Sequence, residues 1–176
     1  MGIKGPHILM ILCLYLLLGC HGDRGLSYRS FYNGSFKLLI PDKWVQKRIE
    51  PILDDEDEYK FVAYLNPIDS SAVLEISVFK PSNFKNDLPS IDSLLKYEEA
   101  KEMKDLPGSS VVREIKLVNK DSIGVIKRHN GKARNLGNIV AFTKGGLIYE
   151  IRINNIKMSE EEFLMMSDKI IRSLQY

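Results

Sequence analysis

The chain has 176 residues, of which 44% are hydrophobic and 27% charged, and its 25 basic residues nearly balance its 23 acidic residues. This balance argues against a nucleic-acid-binding surface, which needs a clustered excess of lysine and arginine. A chain of this length is near the usual size of a single domain and can bury a hydrophobic core. We therefore expect one domain and no nucleic-acid partner.

The first 19 residues have the three-part layout of a secretory signal. Lys4 provides a short basic start, an apolar run extends from Ile8 to Leu18, and the small residue Gly19 follows. A transmembrane helix needs about 20 apolar residues to cross the hydrocarbon layer, and this run is roughly half as long. We therefore expect the segment to be cut off after export and not to remain as a spanning helix.

The end of this segment, Leu17-Leu18-Gly19-Cys20, resembles the bacterial lipobox, in which lipid is attached to the cysteine and cleavage falls just before it. Leu18 is less usual at the second position of that motif, whereas the Gly-Cys pair and the length of the apolar run agree with it. The alternative is that these residues only end an apolar segment. The resemblance implies that Cys20 is acylated, with palmitate as the expected lipid, and that two or more chains anchor the protein firmly.

Cys20 has no partner for an internal disulfide, because Cys13 lies inside the segment that would be removed. His21 follows the cysteine at the position where an aspartate is the familiar sign of inner-membrane retention in lipoproteins. In a bacterium with two membranes, this favours the outer membrane, facing the periplasm.

Three regions are expected along the chain: a lipoprotein signal peptide (residues 1–19), a lipidated cysteine with a short tether (residues 20–27) and a domain (residues 28–176). Removal of the signal takes away one basic residue, so 24 basic residues face 23 acidic ones and the net charge becomes +1. The tether residues His21 to Ser27 span at most about 25 Å when fully extended. The domain must therefore lie close to the membrane surface.

Strand patterns dominate the predicted domain. Alternation such as Leu74, Ile76 and Val78 against Glu75 and Ser77 is typical of a sheet strand. Asn-Gly between two strand-like runs predicts a hairpin at residues 33–34, and Asn-Gly at 130–131 and Gly-Gly at 145–146 predict further tight turns. The predicted strands are Tyr28–Tyr32, Phe36–Ile40, Tyr59–Leu65, Val73–Phe79, Ser110–Asn119, Ser122–Arg128, Leu136–Thr143 and Leu147–Asn154.

Two helices are predicted. The first has an apolar spacing at Ile91, Leu94, Leu95 and Met103 and stops at Pro107-Gly108. In the second, Ser159 and Glu162 form a capping box, Met158 and Phe163 are placed as a hydrophobic staple, and an apolar stripe should lie on the sheet. That stripe consists of Phe163, Met166, Ile170, Ile171 and Leu174. Many strands with hairpin-type turns and only two helices predict an α+β fold with an antiparallel sheet and flanking helices.

The predicted domain resembles the PsbP-like proteins, a family that includes an extrinsic photosystem protein, a Ran-binding nuclear import factor and bacterial lipoproteins. The residues that carry the resemblance are FYNGSFKLLIPDKW, with Pro41 and Trp44 after the hairpin, and GLIYEIRINN followed by a helix ending KIIRSLQY. The resemblance spans Tyr28 to Tyr176. It implies a non-enzymatic accessory or binding role and supplies no catalytic residue or cofactor.

Few residues are candidates for chemistry. His129 and the tether residue His21 are the only histidines of the mature chain, so neither a His/Cys metal cluster nor a Ser-His-Asp arrangement is indicated. His129 is either an exposed strand-end residue or a metal or proton-transfer group. Trp44 either fills the core or stacks on a sugar or protein partner.

The acidic run DDEDE, Asp54 to Glu58, is the sharpest local feature. Asp54, Asp55 and Asp57 are candidate oxygen ligands for calcium, but the run lacks the spaced D-x-D-x-D-G pattern that wraps one ion. Adjacent like charges usually form a solvated loop, which is the interpretation we favour.

Three functions are compatible with these features. The first is a membrane-anchored lipoprotein that acts as a non-enzymatic interaction or assembly module at the periplasmic face of the envelope, with a membrane-proximal protein as partner. The second is a periplasmic domain that binds a small ligand or calcium. The third is a hydrolase with an unrecognised site, which would need two facing carboxylates in a pocket with His129. The short tether and the missing catalytic set favour the first.

Overall fold

The computed structural model describes residues 25–50, 57–81, 88–118, 121–130 and 135–176. Two antiparallel strands open this part of the chain, β1 (Leu26–Phe31) and β2 (Phe36–Pro41). Asn33 and Gly34 between them both have positive φ, and the Ser35 amide donates to the Tyr32 carbonyl at 3.1 Å. This is the hairpin turn that the Asn-Gly pair predicts, because a type I′ turn requires positive φ at both central residues.

A seven-stranded antiparallel sheet forms the centre of the protein. Its strands follow the order β3-β4-β5-β9-β8-β7-β6, so all neighbours are hairpin partners except β5 and β9. The strands are β3 (Trp44–Ile49), β4 (Asp57–Pro67), β5 (Ala72–Pro81), β6 (Ser110–Val118), β7 (Asp121–Asn130), β8 (Asn135–Lys144) and β9 (Leu147–Asn155).

Within the described ranges, each face of this sheet carries one helix. Helix α1 (Ile91–Asp105) has Ser90 as its N-cap and contacts β6, β7 and β8. Helix α2 (Glu160–Arg172) lies against β2 and β8. It begins with the predicted capping box: the Ser159 hydroxyl accepts a hydrogen bond from the Glu162 amide, and the Glu162 carboxylate accepts one from the Ser159 amide. Among the described residues, no helix is long and apolar enough to cross a membrane.

The larger part of the core lies between the sheet and the layer formed by α2 and the β1–β2 hairpin. Phe36 of the hairpin makes edge contacts with Phe142 and Tyr149 of the sheet. The stripe predicted on α2 faces this core: four of its residues are buried, and Met166 is partly buried. The backbone of Gln175 after α2 pairs with Lys37 in β2, which fixes the hairpin against the helix.

Three details differ from the sequence-based expectations. β3 was not predicted, because only Trp44 of its six residues is buried and the strand shows no clear alternation. β1 begins at Leu26, two residues before the predicted strand and inside the predicted tether. Met103 is exposed, and Glu98 and Glu102 take buried positions on α1 instead.

Candidate functional site

Several predicted site residues lie outside the part of the chain that the structure describes. They are Cys20, Asp54 and Asp55. Asp57 begins β4 opposite Pro81, but its side chain is also outside the described residues. Acylation and calcium binding therefore stay predictions. Among the side chains that the structure does describe, no three His, Cys, Asp or Glu residues are grouped to hold a metal ion.

Trp44 lies in the core. Only 6% of its surface is exposed, and it packs in the main hydrophobic cluster between the sheet and the hairpin. Its carbonyl accepts a hydrogen bond from Arg29 Nη1 at 2.9 Å, which ties the start of β3 to β1. The indole is therefore not placed to stack on a sugar or a protein partner.

His129 is exposed at the end of β7 and lines a cavity of about 210 Å³ between β6, β7, β8 and the start of α2. Cavities that bind small molecules usually measure about 300–1,000 Å³. Among the described residues that line the cavity, Glu160 is the only carboxylate. This lining does not supply the two facing carboxylates that hydrolysis beside His129 would need.

A cluster of charged side chains lies between α1 and the sheet, which we call the α1 charge cluster. It consists of Glu98, Lys101 and Glu102 of α1, Glu75 of β5, Arg128 of β7, and Glu150 and Arg152 of β9. Strand alternation brings the strand residues to this face, and the spacing of four places Glu98 and Glu102 one helical turn apart. Glu98 is 0% exposed and Glu102 2% exposed.

Arg152 is the centre of the α1 charge cluster. Its Nη2 lies 2.6 Å from Glu98 Oε2, and its other nitrogens donate to Glu102 and Glu150. Arg128 donates to Glu102 and, through Nη2 at 2.7 Å, to Asn154 Oδ1. Planar guanidinium groups suit this role because each offers several donors in a fixed geometry.

Glu98 and Glu150 are neighbouring buried carboxyl groups whose pKa values are shifted in opposite directions. Burial, followed by the negative charge of Glu150, raises the pKa of Glu98 to about 8 against the attraction of Arg152. Burial also acts to raise the pKa of Glu150, but Arg152 and further hydrogen bonds outweigh it and hold that pKa below its ordinary value. Glu98 Oε1 is buried and has no hydrogen-bond partner among the described residues, and such an unpaired oxygen is less costly on a neutral carboxyl than on a carboxylate.

Protonation of Glu98, which its raised pKa favours at neutral pH, balances the charge of the α1 charge cluster. Four carboxylates face three cations, Lys101, Arg128 and Arg152, so one neutral carboxyl brings the described group to zero net charge. A buried group of charges is tolerated when it is paired in this way. Its ion pairs between the arginines of the sheet and Glu98 and Glu102 hold α1 on the sheet. Arg128 also lines the His129 cavity, whereas none of the carboxylates of the cluster does.

An apolar groove of about 370 Å³ lies on the opposite side of the protein, where the hairpin meets α2. Met165 at its rim is 63% exposed, and Glu162 and Lys169 provide one negative and one positive charge beside it. The apolar walls are Leu26, Leu39, Met165, Met166 and Ile170. Leu26 is the first residue of β1, so the groove lies next to the point where the predicted tether enters the domain.

Sequence reasoning missed both the α1 charge cluster and the groove. A signal for the cluster existed, because Glu98 and Glu102 continue the spacing of Leu94 and Leu95 along one helix face. The alternation of Glu150 and Arg152 on one face of the last strand is its counterpart. The groove had no comparable signal, since its walls come from a hairpin and a helix more than 120 residues apart.

Comparison with solved structures identifies proteins that share this architecture. The solution structure of cyanobacterial PsbP (CyanoP) from Synechocystis sp. PCC 6803 matches with a TM-score of 0.58 and 11% identity over 89% of this chain and 96% of that one. The chain has a PsbP-like α+β fold. At this identity the similarity concerns the fold alone, which agrees with the architecture predicted from the sequence.

Two further structures are similar at a TM-score of 0.49. The Saccharomyces cerevisiae Ran-binding protein Mog1p is 10% identical over 87% of this chain and 96% of its own. The Pseudomonas aeruginosa protein PA94 is 10% identical over 87% of this chain and 98% of its own. No family model and no curated protein matches the sequence.

Proposed function

We propose that this protein is a bacterial lipoprotein, anchored through Cys20, that acts as a non-enzymatic interaction module at the periplasmic face of the envelope. The groove between the hairpin and α2 binds an apolar segment of a protein in the same membrane. The lipobox-like sequence supports the anchor. The observation that carries the interaction role is the position of the groove beside Leu26.

The tether restricts where a partner can be. From Cys20 to Leu26 the chain advances six residues, which span at most about 20 Å. Because Leu26 forms part of the groove wall, the groove stays within about that distance of the lipid. A segment that emerges from the membrane can therefore reach it at a high effective concentration.

The groove also defines the chemistry of its partner. Exposed Met165 and half-buried Met166 are adaptable apolar contacts, because methionine side chains are flexible and polarizable. Glu162 and Lys169 at the rim favour a segment with a cation and an anion flanking its apolar residues. An amphipathic helix laid into the groove has this character.

Site-specific photo-crosslinking in living cells tests the proposal. A photoreactive phenylalanine analogue at Met165 should give a discrete protein adduct in the anchored protein and at least tenfold less adduct when Cys20→Ser removes the lipid. Met103 on α1 is the matched control, since this methionine is 54% exposed on the other face of the sheet. A charge in the groove wall, Leu39→Asp, should abolish the adduct. Equal adducts from both methionines, or an adduct independent of Cys20, would contradict the proposal.

A further inference from the structure

Strand β6 forms one end of the seven-stranded sheet and pairs with β7 on its inner side. On its outer side, none of the described strands pairs with it. It is nine residues long, and three of its apolar side chains are strongly exposed: Val112 (55%), Ile115 (58%) and Leu117 (76%). An edge strand of this kind is a template for pairing with another strand, because its outward backbone groups lack a ladder partner.

When β6 strands from two copies of the chain pair antiparallel, one register makes their charges complementary. An antiparallel pair with its two-fold axis at Ile115 places Ile115 opposite itself and Val112 opposite Val118. It also places Glu114 of each copy opposite Lys116 of the other, so two ion pairs form. Shifting the axis to Glu114 would oppose two glutamates, and shifting it to Lys116 would oppose two lysines.

The other edge of the sheet has the opposite character. β3 is six residues long and carries Lys47 and Arg48 without an acidic residue. Self-pairing of β3 would bring four cations together, and like charges on paired strands are destabilising. The edge formed by β6 is therefore the one that fits a copy of itself.

We propose that the protein forms a symmetric dimer in which the β6 strands of two copies pair antiparallel about Ile115. The two-fold axis of such a pair is perpendicular to the sheet and joins identical patches. Both copies of the β1–β2 hairpin then lie on the same side of the continuous sheet, since the hairpin and α2 share one face. Two anchored chains can therefore pair while both lipids enter one membrane.

Glu114 and Lys116 also have partners within one chain. Lys127 Nζ lies 2.8 Å and Lys116 Nζ 3.4 Å from the Glu114 carboxylate, and Asp168 lies 3.9 Å from Lys116. All these side chains are partly exposed, so they can accept a second contact across the dimer. Because a single charge change also alters these contacts, the test must separate effects within a chain from effects between chains.

Disulfide trapping of the full-length chain in membranes makes that separation. Ile115→Cys should yield a covalent dimer after addition of copper phenanthroline, because residues opposite each other on antiparallel strands have Cα atoms about 4.5–5.5 Å apart, within disulfide range. Ile49→Cys on β3, where the isoleucine is 41% exposed, is the matched control and should stay monomeric. The unsubstituted chain, in which Cys20 is the only cysteine expected after the signal peptide is removed, sets the background.

Charge reversal then tests the register. In the Ile115→Cys chain, Glu114→Lys alone and Lys116→Glu alone should each reduce the trapped dimer about tenfold, since each creates two repulsive pairs. Coexpression of the two variants should restore it as a mixed dimer, because E114K leaves one strand with two cations at these positions and K116E leaves the other with two anions. Absence of the Ile115→Cys dimer, unchanged trapping in the single variants, or failure of the mixture to recover would each overturn the proposal.

Discussion

Replacing Glu98 with glutamine mimics the protonated, neutral form of this side chain and tests its effect on stability. Glutamine has the shape of a protonated glutamate and can donate an amide N–H to the carboxylate of Glu150, as the carboxyl proton does. It keeps the contact with Arg152 through its carbonyl oxygen but cannot ionise. We therefore expect Glu98→Gln to fold normally and to remove one source of pH dependence from the stability of the protein.

The magnitude follows from the pKa of Glu98, which is about 8 in the folded protein against an ordinary value of 4.5. Between these two pH values the folded state holds the proton and the unfolded state does not. The free energy of unfolding of the wild type therefore falls by up to about 1.4 kcal/mol per pH unit from this group, and by about 3.5 kcal/mol in total from pH 5 to pH 8 because the slope decreases near pH 8. Its stabilising effect is complete below pH 4.5 and is lost as the pH rises through 8.

Other groups of the α1 charge cluster do not obscure the difference in pH-dependent stability between the wild type and Glu98→Gln. The lowered pKa of Glu150 contributes stability above pH 4.5 that is lost only at lower pH, outside the window. The pKa of Glu75 is raised by burial, but this carboxyl is present in both proteins and cancels in the comparison. Urea unfolding at pH 5, 6, 7 and 8 measures the free energies directly. Stability curves of wild type and Glu98→Gln that run parallel across this range would refute the raised pKa of Glu98.

Radiolabelled palmitate should enter the wild type and not Cys20→Ser; equal labelling, or a mature amino terminus other than residue 20, would contradict the lipoprotein interpretation. Millimolar calcium should leave the melting temperature unchanged, because a site occupied at one hundred times its dissociation constant would add about 2.7 kcal/mol. A rise of several degrees that Asp55→Asn with Asp57→Asn removes would show that the acidic run binds the ion. Glu102→Ala should cost about 3–5 kcal/mol in urea unfolding because the buried Arg128 and the partly buried Arg152 lose a partner, whereas Glu99→Ala, which breaks a surface pair, should cost at most about 1 kcal/mol; equal costs would contradict the buried role of Glu102.

Much of the fold could be predicted because its signals are local. The Asn33-Gly34 turn and the Ser159–Glu162 capping box each depend on a few adjacent residues, and both are present in the structure. Strand alternation likewise located eight of the nine strands in the described part of the chain. β3 was not predicted because its residues Val45 and Ile49 remain exposed. Burial therefore does not require apolar and polar residues to alternate along this strand.

The two-layer arrangement around the sheet could not be predicted in the same way. The hairpin forms its own two-stranded sheet and is fixed to α2 by the Lys37–Gln175 backbone pairing, a contact between the two ends of the domain. The buried positions of Glu98 and Glu102 depend on arginines from β7 and β9. A glutamate on a helix is usually exposed, and only the distant cations make its burial favourable.

The distance between domain and membrane tests the central claim most directly. The measurement is complementation of a deletion strain by three forms exported to the same compartment at matched levels: the anchored protein, a soluble form starting at His21, and an anchored form with about 30 Gly/Ser residues inserted after Asp23. The insertion keeps the lipid but lowers the effective concentration of the domain near a membrane-proximal partner. We predict full function for the anchored form, partial function for the long-tethered form and loss of function for the soluble form. Full rescue by the soluble form would contradict a membrane-proximal interaction role.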